Sequence, residues 1–279
     1  MSTSIHRLLQ GCPNELMKEH FSLDSKFRKE QAINYIVETF QRNKILDFVF
    51  ENFGCLKQHI YINTFNKDFT SFNPSPANQH SNYQKGTETI YNLLFEMNVQ
   101  AFNKTQKSLE ELEYLIPVQI RKSKLHLIVS FNTFERRVIN SSGDNFVILD
   151  RKNSENSYIE IIKDSLPTGI TFVPTDLNKG IKELWKEDKI KAKFLKHLRS
   201  SSVSTEVMME DDNLKDKLPD LYNEALTNPL EKNVFVLVEE KTDIGRFTTE
   251  PMKGKISISR YAKNLDSVND LVISVLDKN

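Results

Sequence analysis

Tyr91, Leu93, Phe95, Met97, Val99 and Ala101 fall on one side of an alternating run, and Asn92, Glu96, Asn98 and Gln100 fall on the other. A period of two sustained over that length belongs to a half-buried β-strand, because successive side chains of a strand point to opposite faces. The strand, expected over 89–102, divides the chain into a front with helical periodicity and a back built on strands.

In the front, apolar residues recur at helical spacing from Ser4 to about Phe65: Leu8, Leu9, Leu16 and Met17, then Ile33, Ile36, Val37 and Phe40, then Ile45, Leu46, Val49 and Phe53. The spacing predicts four or five short helices, with Asp24 or Ser25 capping one of them. Residues 72–87, rich in Asn, Ser and Pro and nearly uncharged, read as a linker or surface loop. Tyr114, Ile116, Val118 and Ile120 alternate, and Leu125, Leu127, Val129 and Phe131 alternate again after a turn at 121–124, which predicts an antiparallel meander with one wet face. Asp176 to Arg199 reads as helix: Ile181, Leu184 and Trp185 share a face, a break falls near Asp188, and Ile190, Phe194, Leu195 and Leu198 come after it in a new phase. The lone Trp185 at such spacing is read as a core anchor.

The expected class is therefore α+β, with a helical N-terminal module at 1–70, a linker or loop at 71–88, and a mainly antiparallel sheet domain at 89–279. Helices are expected on one face of that sheet, with a helical excursion over about 176–227. At 279 residues the chain is long enough to bury sizeable cores without disulfides or metal.

Composition removes several function classes. The eight glycines never stand closer than nine residues apart. Dinucleotide and P-loop fingerprints and the nucleophile elbow each need glycines within a few positions, so no nucleotide cofactor is expected. Cys12 and Cys55 have neither zinc-site nor redox-pair spacing and read as reduced thiols. The six histidines form no metal-binding helix face, and no metal or other cofactor is expected. No apolar run reaches the ~18 residues of a membrane span, and the N-terminus lacks the apolar core of a signal peptide, so the expected setting is the cytoplasm, away from membrane.

Acids and bases balance at 38 each, so any attraction to nucleic acid must be local. Lys189, Lys191, Lys193, Lys196 and Arg199 span eleven residues without an acid, and Arg121, Lys122 and Lys124 sit at a turn. Both sets are candidate polyanion contacts, because clustered cations release counterions from a phosphate backbone. Beyond Glu206 the chain turns acidic.

Two readings of function are open. The first is a non-enzymatic intracellular binding or adaptor protein, an accessory subunit of a nucleoprotein system contacting protein, nucleic acid or both. The second is a Mg²⁺-dependent nuclease in which Asp144 and Asp150 hold the metal and Lys152 orients the attacking water. The Asp/Glu-x-Lys pattern occurs four times in the chain, about as often as composition gives by chance, and the five residues between Asp144 and Asp150 are few for two strands and a turn.

Overall fold

The computed structural model describes residues 4–56, 58–70, 72–132, 137–139, 145–148, 162–163, 165–200, 203–208, 214–239, 242–258 and 265–279. Helices open the chain and antiparallel strands dominate the remainder, so the fold class is α+β, as the periodicities predict. The chain forms two compact units, one of residues 1–53, 66–125 and 131–171, the other of 54–65, 126–130 and 172–279.

The first unit begins with α1 (Ser4–Gln10), α2 (Asn14–His20), α3 (Lys29–Thr39) and α4 (Arg42–Glu51). They bury the stripes that the spacing marks: Leu8, Leu9, Met17, Ile33, Ile36, Ile45, Leu46 and Val49. Neither Asp24 nor Ser25 caps α3, whose N-cap is Arg28: the Asp24 side chain accepts from the Lys26 N–H one turn earlier, while Gln31 Oε1 accepts from the Arg28 N–H at 2.9 Å and closes the helix start. Helical spacing does not carry on to Phe65: Gln58–Phe65 is strand β1 and belongs to the second unit. Nor is 71–88 all loop, because β2 (Gln79–Lys85) pairs with the strand after it.

The alternating run is β3 (Glu88–Asn103), paired with β4 (Ser108–Lys122) from Thr89↔Lys122 to Asn103↔Ser108 without a register shift. Asn103 shapes the turn between them, its Oδ1 accepting from the N–H groups of Thr105 and Gln106. The other edge of β3 is shared, β2 pairing with its first half and β7 (Asn145–Ile148) with its last residues; β6 (Arg137–Ile139) continues beyond β7. Helix α1 lies against β4, where the Arg7 guanidinium donates to the Glu113 carbonyl and rests 5.6 Å from the centre of the Tyr114 ring. Burial pushes the Tyr114 hydroxyl up to about 12.

In the second unit the strand order is β10 (Val203–Met208), β9 (Ile190–Ser200), β11 (Asn233–Glu239), β12 (Thr242–Glu250), β13 (Lys255–Ile258) and β1, all antiparallel. β8 (Phe172–Pro174) extends the end of β1, and residues 126–130 of β5 (His126–Asn132) lie on its far side. Helices α5 (Asn178–Lys186), α7 (Pro219–Thr227) and α8 (Leu265–Asp277) share one core with the sheet, while α6 (Leu214–Lys217) is a single turn. Trp185 is the anchor its spacing predicts, edge-on to Tyr222 at 4.8 Å and to Phe235 at 6.0 Å between ring centres.

The expected helical excursion over 176–227 holds only in part. α5 ends at Lys186, Asp188 takes a left-handed φ of 57°, and the basic run continues as strand β9 rather than as helix. The misleading signal has a physical origin. A β-bulge at Lys193, opposite Val234 and Phe235, inserts one residue into the strand. The buried positions become Ile190, Ala192, Leu195 and His197, and the extra step turns a period of two into spacing that resembles a helix.

Two glycines are required by close approach. A Cβ on Gly180 of α5 would stand 2.1 Å from the Val275 carbonyl oxygen of α8, and one on Gly254 would stand 2.2 Å from the Ile62 carbonyl oxygen at a φ of +60°. Alanine is favoured over glycine by about 1 kcal/mol inside a helix, but overpacking a tight contact costs about 1–3 kcal/mol. Gly180→Ala should therefore lower the melting temperature, despite its better helix propensity. In β3, Phe95 is buried and Glu96 is exposed, meeting Arg42 at 3.0 Å. Phe95→Ala should cost ~3–5 kcal/mol in denaturant unfolding. Glu96→Ala should cost under ~1 kcal/mol, as an exposed ion pair does.

Candidate functional site

The bulge sets which side chains β9 displays. Ile190, Ala192, Leu195 and His197 turn to the core, and Lys196, one position out of phase, stays half-exposed. From Lys189 onward the cations meet acids, one close by in sequence and the others brought in from elsewhere in the second unit. Lys189 lies 3.1 Å from Glu187. Lys196 lies 3.0 Å from Glu206, its register partner on β10, and 3.4 Å from Glu231. Arg199 grips Glu224 of α7 from two nitrogens, Nη2 donating to Oε2 at 2.8 Å and Nε donating to Oε1. Lys191 and Lys193 are engaged as well. The acidic stretch after Glu206 is thus, in part, the counter-charge of the basic strand.

The second candidate set belongs to the first unit. Arg121 is buried, and its guanidinium donates to Glu88 Oε2 from Nε at 3.2 Å and Nη2 at 2.8 Å, which makes it a structural cation. Lys122 sits 4.5 Å from the centre of the Phe69 ring, and Lys124 is exposed in the turn before β5. Asp144, Asp150 and Lys152 lie outside the described residues.

The spacing of the basic run puts His197 on a helix surface, but the structure buries it completely on the core side of β9. Its Nε2 is 3.1 Å from Glu224 Oε1, and neither ring nitrogen has an aligned hydrogen bond. Asn233 Oδ1 accepts from the Lys196 N–H at 2.9 Å, while Asn233 Nδ2 and the hydroxyl of its register neighbour Thr249 are buried without hydrogen-bond partners. An imidazole beside a carboxylate has the parts of a general base, but a ring with no exposed surface cannot meet a substrate. The pair, with Arg199, fastens α7 to β9. Hydrogen bonds from Arg199, and then the neighbouring His197, bring the Glu224 carboxyl down to about 2.

Three histidines of the first unit serve similar ties. His6 lies 3.0 Å from Glu30, His20 lies 3.7 Å from Glu51, and His80 lies 2.8 Å from Asp47. His126 at the start of β5 is half-buried, and burial lowers its pKa. Among the described residues, no group of three or more His, Cys, Asp or Glu could hold a metal ion. No described helix is long and apolar enough to cross a membrane. A groove of about 480 Å³ runs along α5, but its cations are committed: Lys182 to the Asn228 carbonyl, Lys186 to Glu183, and Lys179 to the Asn279 carbonyl oxygen.

The strand beside β9 is a feature that charge and periodicity did not single out. Among the described residues β10 pairs only with β9, and it ends the strand order. Its sequence, VSTEVM, has no Pro, Gly or Lys to blunt the edge, and Val203 and Met208 are 52% and 81% exposed. The β-branched content of that short run was the available signal. The chain matches no family model and no curated protein.

The tie between α7 and β9 has a pH signature. A carboxyl held at about 2, against an ordinary 4.5, stabilises the fold fully above its unfolded value and loses that contribution as the pH falls through the folded one. The stability difference between wild type and Glu224→Gln should be constant above about pH 5.5 and shrink progressively towards pH 2. Urea titrations at stepped pH measure it, and a difference that does not change with pH would contradict the assignment.

Proposed function

We propose that this chain is a non-enzymatic binding or adaptor protein that works through protein contact along the β10 edge. The carrying observation is an edge strand with exposed apolar side chains, guarded only by one charge, Glu206, and by a register shift at its Val203 end. Such an edge presents backbone N–H and C=O groups to any extended partner, and its side chains add selectivity. The charge arrangement supports protein over nucleic acid as the partner. A cation already paired with a carboxylate must give up that partner before it can neutralise a phosphate, which weakens the counterion release that drives polyanion binding.

Affinity capture from the native cell, comparing wild type with a Val203→Lys, Met208→Lys double variant, tests the reading. A protein partner should be recovered with wild type and reduced about tenfold or more with the variant, at an unchanged melting temperature. Salt-sensitive retention on heparin or nucleic acid at ~50 mM salt would overturn it. So would Mg²⁺- or Mn²⁺-dependent cutting of DNA or RNA that Asp150→Ala abolishes.

A further inference from the structure

The β10 edge carries a pattern that narrows the choice of occupant. In antiparallel pairing, directly opposite residues lie on the same side of the sheet, so a strand that pairs with its own copy must centre on a single residue. Centring on Glu206 sets two carboxylates face to face, and like charges directly opposite are destabilising. Centring on Ser204 leaves Val207 and Met208 without partners. Centring on Thr205 pairs Thr205 with itself, Val203 with Val207, and Ser204 with Glu206, and leaves only Met208 beyond the ladder.

That third register fits the rest of the strand. Thr205 and Val207 lie opposite His197 and Leu195, both of which turn to the core, so Thr205 and Val207 share the helix-covered side; Val203, past a register shift with β9, joins them by the alternation of β10 itself. Two Val203–Val207 pairs would then continue each core across the junction, and the half-exposed Val203 would gain cover. Glu206, already 3.0 Å from Lys196, would face a serine. The chain's formal charge is zero, so two copies do not repel at long range.

We infer that β10 pairs antiparallel with β10 of a second copy of this chain, about a two-fold axis at Thr205. The inference rests on the binding role proposed above and names one occupant of the same edge. Sedimentation velocity on the full chain between about 1 and 100 μM, the range in which small interfaces associate, should show a species of twice the 32.4 kDa chain mass. Thr205→Lys sets two ammonium groups against each other at the axis and should weaken association at least about tenfold. Ser204→Lys faces Glu206 of the second copy and should tighten association severalfold, the gain fading with salt. Circular dichroism checks that each variant folds; if Thr205→Lys does not, the gain from the exposed Ser204→Lys decides. A wild type that stays monomeric overturns pairing between copies, while the capture experiment decides the binding role separately. A dimer that neither variant changes, or that Ser204→Lys weakens, also overturns it.

Discussion

The first unit depends on one uninterrupted register. From Thr89 to Asn103 each residue of β3 has a fixed partner on β4, and a slip of one residue would exchange the two faces along the whole hairpin. Phe95 would turn outward and Glu96 inward. Fixed in this way, β4 gives α1 a surface, and the free edge of β3 receives β2 at one end and β7 at the other. The Arg121–Glu88 pair sits at the base of this hairpin. Removing Glu88 would take its carboxylate partner from the buried Arg121, and breaking a buried pair costs about 3–5 kcal/mol, so its position argues for a structural role.

The second unit is held differently. Its core is apolar where α5, α7 and α8 meet the sheet, but the rim around β9 is polar, and carboxylates from Glu187, Glu206, Glu224 and Glu231 meet its cations. Exposed pairs of this kind add little stability one by one. Together they keep a lysine-rich strand from carrying a bare positive stripe, and leave the neighbouring edge as the more distinctive surface. The role proposed for that edge thus follows from charge cancellation as well as from shape.

How far the fold was legible in the sequence depended on where the determining contacts lie. The alternation of β3 and the stripes of α1 to α4 are local; in β3, Leu93, Phe95 and Ala101 are buried and Glu96 exposed as spacing predicts, while Asn92, on the side read as polar, is buried with Ile90. The break at Asp188 was visible, but the strand beyond it was not, because the bulge at Lys193 disguised its period and the cause, the pairing with Val234 and Phe235, lies about forty residues away. The same distance hid the partners of the cations. Glu224 is twenty-five residues from Arg199, and nothing local to the basic run signals that α7 will deliver it. The run itself was plain; its neutralisation was tertiary. The edge position of β10 was equally unreadable, since a strand's place in the order depends on every other pairing.

The place of β1 in that order has a consequence for how the molecule is made. β1 leaves the ribosome early, yet its neighbour β13 is encoded almost two hundred residues later, with most of the first unit's strands between them. At about 5–20 residues per second, Tyr61 waits roughly 10–40 s for Lys255 to be synthesised. During that interval Ile60 lacks its β13 partner, while the β3–β4 hairpin can already close. The β1–β13 pairing therefore has high contact order and forms after the β3–β4 hairpin can, and the nascent β1 segment is a stretch of chain that chaperones would shelter during synthesis.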